Sequence, residues 1–263
     1  MNIIKKILNI KPKVKLSFYK EIFNFCKVRN VGSVYKNTNE VTPRVNFILQ
    51  LLDREKIAYE IDKFQKRDIW CYNIILRGDS DKMVIAHHDI VNPDIDNAND
   101  NSASIINAIA VKKHLPNIHV VLTDGEEMGG IGSQRLSDKI NEGDFGSIKW
   151  VLNLELTGKG GKHFFIGDGG GEISKHILSL FDCPIVKTPY NDSITIRDNG
   201  IDSVVINPLP PLKKGVSSVK WKEGVYLDNT LLYNCHSERD TLDTISVTDM
   251  KEFVEKVLIK ILK

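Results

Sequence analysis

Short apolar runs alternate with helical stretches through most of this chain, and that alternation restricts the fold more than any other feature. Asn73–Leu76, Met83–Ala86, Val120–Thr123, Val151–Leu154, His163–Ile166 and Ser203–Ile206 are short apolar segments that read as strands. Between or after them the spacing predicts helices over about 102–114, 131–141, 171–181 and 246–262. Further upstream, Leu16, Tyr19, Ile22, Phe23 and Cys26 recur at helical spacing within residues 15–28. Thr42 is a good N-cap for a second helix, with Pro43 in its first turn and Val45, Ile48, Leu49 and Leu52 on its apolar face. Strands and helices in this order give an α/β fold of three layers, with a largely parallel mixed central sheet and helices on both faces. Such sheets place ligands beyond the carboxyl ends of their strands.

The 263 residues fit one large domain, and no repeat, low-complexity tract or linker divides them. The reading is a single catalytic domain over 1–263, with an N-terminal helical extension at 1–40. Residues 207–229 form a loop excursion rich in Pro208, Pro210, Pro211, Gly215 and Gly224. With 41% hydrophobic residues the chain can bury a core without a structural staple, so a metal site here would be catalytic. A net charge of +2 gives no electrostatic case for nucleic acid. Lys5, Lys6, Lys11, Lys13 and Lys15 crowd near the start and read as a solvated terminus rather than a membrane contact. The apolar run Ile7–Ile10 is too short for a secretory signal, and nothing approaches the roughly 20 apolar residues of a spanning helix. Cys26, Cys71, Cys183 and Cys235 lie far apart, which suits reduced thiols and a cytoplasmic protein.

The acids and histidines fall where the strands end. His87-His88-Asp89 follows Met83–Ala86, Asn99-Asp100-Asn101 opens the next helix, and Asp124-Gly125-Glu126-Glu127 follows Val120–Thr123. Glu155 follows Val151–Leu154, and His236 stands late in the chain. In a parallel sheet these ends share one rim. Carboxylates and imidazoles converging there repel and desolvate one another unless cations intervene. The mixed nitrogen and oxygen donors suit zinc better than magnesium or calcium. Adjacent carboxylates at Glu126 and Glu127 point in different directions, so one can hold metal while the other takes a proton from an attacking water.

The run Thr123-Asp-Gly-Glu-Glu-Met-Gly-Gly-Ile-Gly-Ser133 resembles the Glu-Glu motif of the zinc-dependent aminopeptidases of the aminopeptidase Y and leucyl aminopeptidase type. Ala86–Val91 is similar to that family's His-x-Asp element, and Ala98–Ser104 to its Ala-x-Asp-x-x-Ser-Gly element. Asn153–Gly158 resembles its Asn-Leu-Asp-x-x-Gly, and His236–Thr241 its late His-x-x-x-Asp-Thr. The resemblance implies a zinc-exopeptidase-like fold and two zinc ions per chain. It gives His87 and Glu155 to one zinc, Glu127 and His236 to the other, and Asp100 to both. Asp89 would hold the His87 ring, and Glu126 would be the general base and then the proton donor. The family also tends to have a cis peptide after the bridging aspartate, here Asp100–Asn101. The implied reaction is cleavage of amide bonds at peptide N-termini through a hydroxide bridging the metals, on a peptide or aminoacyl substrate.

Two positions depart from the pattern: Glu155 stands where Asp is usual, and Ser104 where Gly is usual. The Asp-Gly-Glu-Glu run is also similar to that of glutaminyl cyclases, single-zinc relatives, which keeps a cyclotransferase open beside the hydrolase. A catalytically silent binding protein is the third reading, disfavoured because every ligand position is chemically competent.

Other residues have plainer readings. His88 is expected to point away from the site, and His114, His119, His163 and His176 to be surface or satisfied core residues. Cys235 offers another kind of ligand, but His236 fits the motif better. Asp192 reads as a helix cap rather than a ligand. The glycines at 158–161 and 167–171 read as tight turns, since neither run has the spacing of a nucleotide-binding loop. No Gly-x-Ser-x-Gly supplies a serine nucleophile.

Overall fold

Buried strands form where both faces of the chain must leave water, and the central strands here are apolar at nearly every position. In the computed structural model, which describes residues 14–28, 41–66, 68–167, 170–208, 221–222, 225–226 and 234–263, these strands build one eight-stranded mixed sheet. Its strands are β1 (Glu60–Lys66), β2 (Ile69–Leu76), β3 (Lys82–His87), β4 (His119–Thr123), β5 (Trp150–Leu154), β6 (Phe164–Gly167), β7 (Ile185–Val186) and β8 (Ser203–Pro208). They lie in the order β1-β2-β4-β3-β5-β8-β6-β7. The four at the centre, β4, β3, β5 and β8, run parallel, while β1, β2 and β6 each join the sheet antiparallel.

Alternate side chains of one strand serve two separate cores. On β3, Val84 and Ala86 join the larger core with α3 (Pro43–Arg54) and α4 (Ala103–His114), whereas Met83 and Ile85 face the smaller one. The larger core also takes in α1 (Leu16–Tyr19), α2 (Ile22–Phe25), α6 (Gly171–Leu180), α8 (Val247–Phe253), a π-type stretch at Val254–Leu258 and α9 (Ile259–Leu262). The smaller is closed by α5 (Ile131–Asn141) and α7 (Asp192–Asp198). Helices therefore cover both faces, giving the three-layer α/β architecture that the alternation dictates. Thr42 caps α3 as its sequence suggests, its hydroxyl accepting from the Val45 amide.

The differences lie at the margins. β1 (Glu-Ile-Asp-Lys-Phe-Gln-Lys) is a polar edge strand with both faces largely wet, so it carries no apolar signal. It pairs with β2, which begins four residues earlier than its apolar run. The last helix passes through a π-type stretch rather than continuing unbroken. Of the extension at 1–40, residues 14–28 are described and carry two single-turn helices; of the excursion at 207–229, the end of β8 and a two-stranded ribbon, β9 (Trp221–Lys222) with β10 (Val225–Tyr226), are described. The rest of both lies outside the described residues. Among the described residues no helix is long and apolar enough to cross a membrane.

Candidate metal centre

The carboxyl ends of β3, β4 and β5 bring most of the acids and imidazoles together. His87 is the last residue of β3 and pairs in register with Thr123, the last of β4. Glu155 immediately follows β5. Asp100 sits in a kinked turn, Ala98–Ser102, at the entrance to α4, and the Asp100–Asn101 peptide is cis. Asn101 fixes that turn to the β5 end: its side chain donates to the Leu154 carbonyl at 3.0 Å and accepts from the Leu156 amide at 3.2 Å.

Asp100 faces two ways. Its Oδ1 lies 3.3 Å from His87 Nε2, which is itself 3.4 Å from Glu155 Oε2. Its Oδ2 lies 3.1 Å from His236 Nε2, which is 3.1 Å from Glu127 Oε2. One carboxylate thus joins two donor sets, His87 with Glu155 and His236 with Glu127. Glu126 has a carboxyl oxygen grouped with donors of His87 and Glu127, all within 4.8 Å of one another. Asp89 accepts the backbone amides of Glu126 and Glu127 at 3.2 and 3.0 Å, and its Oδ1 lies 3.4 Å from His87 Nδ1. It therefore fixes the Glu-Glu turn as well as the imidazole. Only the contact with the His87 ring is expected from the sequence.

The electrostatics show what such a cluster lacks. Burial pushes Glu126 well above the usual carboxylate range, and the neighbouring Glu155, Asp192 and Glu127 add to the rise while His87 opposes it. Burial raises Glu155 to about 7 against the pull of His87, and raises Glu127 against the hydrogen bond from His236. Burial resists charging of His87, yet Glu155, Asp100 and Asp89 together lift it well above the ordinary imidazole value. Hydrogen bonds to Asp100 and Glu127 lift His236 to about 10. Asp100, despite burial, is held low by both imidazoles. The shifts oppose one another across one rim: burial disfavours charge on Glu126, Glu127 and Glu155, while the carboxylates draw His87 and His236 toward the charged form. Divalent cations would relieve that opposition, and the donors fit them: those of His87, Asp100 and Glu155 lie within 4.8 Å of one another, and Asp100 and Glu127 each lie 3.1 Å from His236.

Three supports carry little or no signal in the sequence. Arg44 of α3 is fully buried, donating to the His88 carbonyl at 3.0 Å and to Ser102 Oγ at 3.1 Å, with its guanidinium 4.2 Å above the Phe25 ring. It ties the His87–Asp89 segment to the turn that carries Asp100. Asp240 accepts the amides of Asn99 and Asp100 at 2.8 and 3.0 Å, anchoring the loop of His236 to the same turn. Asn207 of β8 donates to the Glu155 carbonyl at 2.9 Å. Arg44 looks in sequence like any basic residue in a first helical turn; Asp240 at least lies inside the late His-x-x-x-Asp-Thr element.

Other residues fall as follows. His88 turns to the Tyr72 carbonyl at 2.8 Å, away from the metal donors. Asp192 does not cap α7: Asn191 does, its Oδ1 accepting from the Ser193 amide at 3.0 Å. An asparagine just before the helix takes that role, leaving Asp192 in the first turn. There it is buried, accepts from Thr123 Oγ1 at 2.6 Å, and keeps its other oxygen without a partner. Gly158 sits in a tight turn whose amide donates to Asn99 Oδ1 at 2.7 Å. Gly132 lies so close to Asp124 that an added Cβ would stand 2.2 Å from the Asp124 carbonyl oxygen, which lets α5 start directly behind the Glu-Glu turn.

Solved structures share this architecture. The LapA aminopeptidase of Legionella pneumophila superposes with a TM-score of 0.69 at 14% identity, covering 92% of this chain and 69% of that one. A Zn-dependent exopeptidase from Parabacteroides distasonis gives 0.67 at 16% identity, over 96% of this chain and 99% of that one. The glutaminyl cyclase of an Acidobacteriales bacterium gives 0.68 at 16% identity, over 97% and 96%. No curated protein matches significantly in sequence. The sequence profile of Peptidase family M28 matches residues 73–259, a span that contains the ends of β3, β4 and β5 and the loop of His236. By that match over most of its length, the chain belongs to Peptidase family M28.

Proposed function

We propose that this chain is an aminopeptidase that binds two zinc ions, one held by His87 and Glu155, the other by Glu127 and His236, with Asp100 shared between them. The observation that carries this reading is the division of Asp100: Oδ1 lies 3.3 Å from His87 Nε2 and Oδ2 lies 3.1 Å from His236 Nε2. A carboxylate so placed would offer one oxygen to each of two cations. When bound, zinc acts as a Lewis acid that polarises the scissile carbonyl and acidifies water.

The protein's own groups perform the rest. Glu126, whose carboxyl lies beside the donors of His87 and Glu127, accepts a proton from the water as its oxygen adds to the carbonyl carbon. It then returns that proton to the departing amide nitrogen, so that the carbon–nitrogen bond breaks to give a free amine and a carboxylic acid, whose remaining proton leaves to solvent. Asp89 keeps Glu126 and the His87 ring in place through both halves of the cycle. The cluster of carboxylates at the rim favours a substrate bearing a free, positively charged N-terminus.

Glu126→Gln keeps the shape of the side chain and removes its basicity. Zinc content should stay at the wild-type level while kcat on aminoacyl substrates falls by about 10²- to 10⁴-fold. A variant with full zinc and wild-type turnover would mean that Glu126 is not the base. A second reading has support in the glutaminyl cyclase likeness, which spans 97% of this chain. Product mass separates the two: hydrolysis releases an amino acid, whereas cyclisation of an N-terminal glutamine releases ammonia. Full activity with a single bound zinc would favour the cyclase.

A further inference from the structure

The loop that brings His236 to the metal centre brings a second donor with it. Cys235 is half-buried, and its thiol donates to Asp100 Oδ2 at 2.8 Å, the same oxygen that lies 3.1 Å from His236 Nε2. The sulfur, the imidazole nitrogen and the carboxylate oxygen all fall within 4.8 Å of one another. The other cysteines differ. Cys26, Cys71 and Cys183 are buried, and among the described residues none of them joins a group of metal-binding side chains.

We infer that Cys235 is a sulfur ligand of the outer metal, beside Asp100, Glu127 and His236. The inference rests on the two-metal reading above and adds to it a donor that the nitrogen and oxygen set does not include. Geometry favours it. Bond lengths of about 2.0 Å to nitrogen or oxygen and about 2.3 Å to sulfur in a tetrahedral site put neighbouring donors roughly 3.3 to 3.5 Å apart. His236 and Asp100 already stand close to that spacing, and the thiol has only to move back from Asp100 by less than an ångström. On binding, the sulfur–hydrogen bond gives way to a sulfur–metal bond and the proton leaves to solvent. Asp100 Oδ2, which accepted that proton's hydrogen bond, becomes free to bind the same cation. A thiolate is a soft donor, so the outer site would discriminate against magnesium, calcium and manganese more sharply than an all-nitrogen-and-oxygen site. It would also leave the outer ion with four protein ligands, so that substrate enters by expanding the coordination or by displacing one of them.

Cobalt(II) reports a thiolate ligand directly, through an intense sulfur-to-cobalt charge-transfer band in the near ultraviolet. Full-length apoprotein titrated with cobalt should show this band growing in with one of its two equivalents. Cys235→Ser should fold normally by circular dichroism, lack the band, and bind that equivalent at least about tenfold more weakly, while Cys71→Ser keeps both. Should the serine variant fold poorly, the wild-type spectrum alone still decides. Two bound cobalt ions without the band, or a band that survives in Cys235→Ser, would overturn the inference and leave the two-metal reading standing. An apoprotein that takes up no cobalt at all would overturn both.

Discussion

The two donor sets that share Asp100 are held in very different ways. His87 and Glu155 stand at the ends of neighbouring central strands, and their side chains are 2% and 10% exposed. Sheet register sets their separation, since β3 and β5 pair from Lys82 with Trp150 to Ile85 with Asn153. His236 comes instead from a late loop, with its side chain 49% exposed and its backbone in the left-handed region at a φ of 56°. What fixes its loop is a pair of hydrogen bonds that Asp240 accepts from the Asn99 and Asp100 amides, rather than a strand. The inner set belongs to the core, and the outer set is brought to it. An inner ion should therefore be bound more tightly and exchange more slowly than an outer one.

Removing the shared residue gives the largest effect. Asp100→Ala should weaken both equivalents of zinc by more than the about 10- to 100-fold typical of losing an outer support, and activity should vanish with them. Elemental analysis after dialysis against a weak chelator measures this. Retention of one full equivalent would show that Asp100 serves a single ion. His236→Ala should be milder and one-sided: about one zinc per chain remains, and it is the one that exchanges slowly. Loss of both ions from this variant would contradict the separation of inner from outer.

Next comes the support that ties the segment of His87 to the turn of the shared Asp100. Arg44→Met deletes a buried cation that holds the His88 carbonyl and Ser102 and lies near Asp89, Asp100 and Asp240. Breaking such a buried arrangement costs about 3–5 kcal/mol, so the apoprotein should unfold at clearly lower denaturant concentration. Arg44→Lys should recover only part of the loss, because an ammonium cannot reproduce the fork that reaches both partners. If Arg44→Met unfolds like wild type, the inner set does not depend on α3.

The central strands and the helices between them were legible in the sequence because burial on both faces leaves an unmistakable run of apolar residues. The polar edge strand β1 was not, since an edge wetted on both sides has no pattern to read. The residues around the metal centre divide in the same way. Those at strand ends whose side chains could hold a metal stood out by chemistry and position. Arg44 and Asn207 did not, because their contacts join segments far apart in the chain: Arg44 reaches Ser102 across 58 positions, and Asn207 reaches Glu155 across 52. Asp192 was misread because an asparagine immediately before it is an equally good cap. Cap preference ranks residue types and does not decide between adjacent candidates.

The smallest predicted effect tests the comparison most finely. Asp240 accepts two backbone amides of the Asp100 turn, one with each carboxylate oxygen. In Asp240→Asn one oxygen remains to accept, while the new amide group faces an N–H with nothing to accept it. The lost bond and the opposed donors cost about 1–3 kcal/mol, roughly a tenfold or slightly larger change in an equilibrium. The same carboxylate that anchors the turn also anchors the loop of His236, so the change should fall on the weaker, faster-exchanging zinc. A competition titration with a chromophoric chelator resolves the two equivalents: the weaker should shift by about tenfold and the tighter stay within about twofold. Equal weakening of both would place Asp240 in service of the bridging carboxylate itself, and the two halves of the centre would then share one support rather than stand on separate ones.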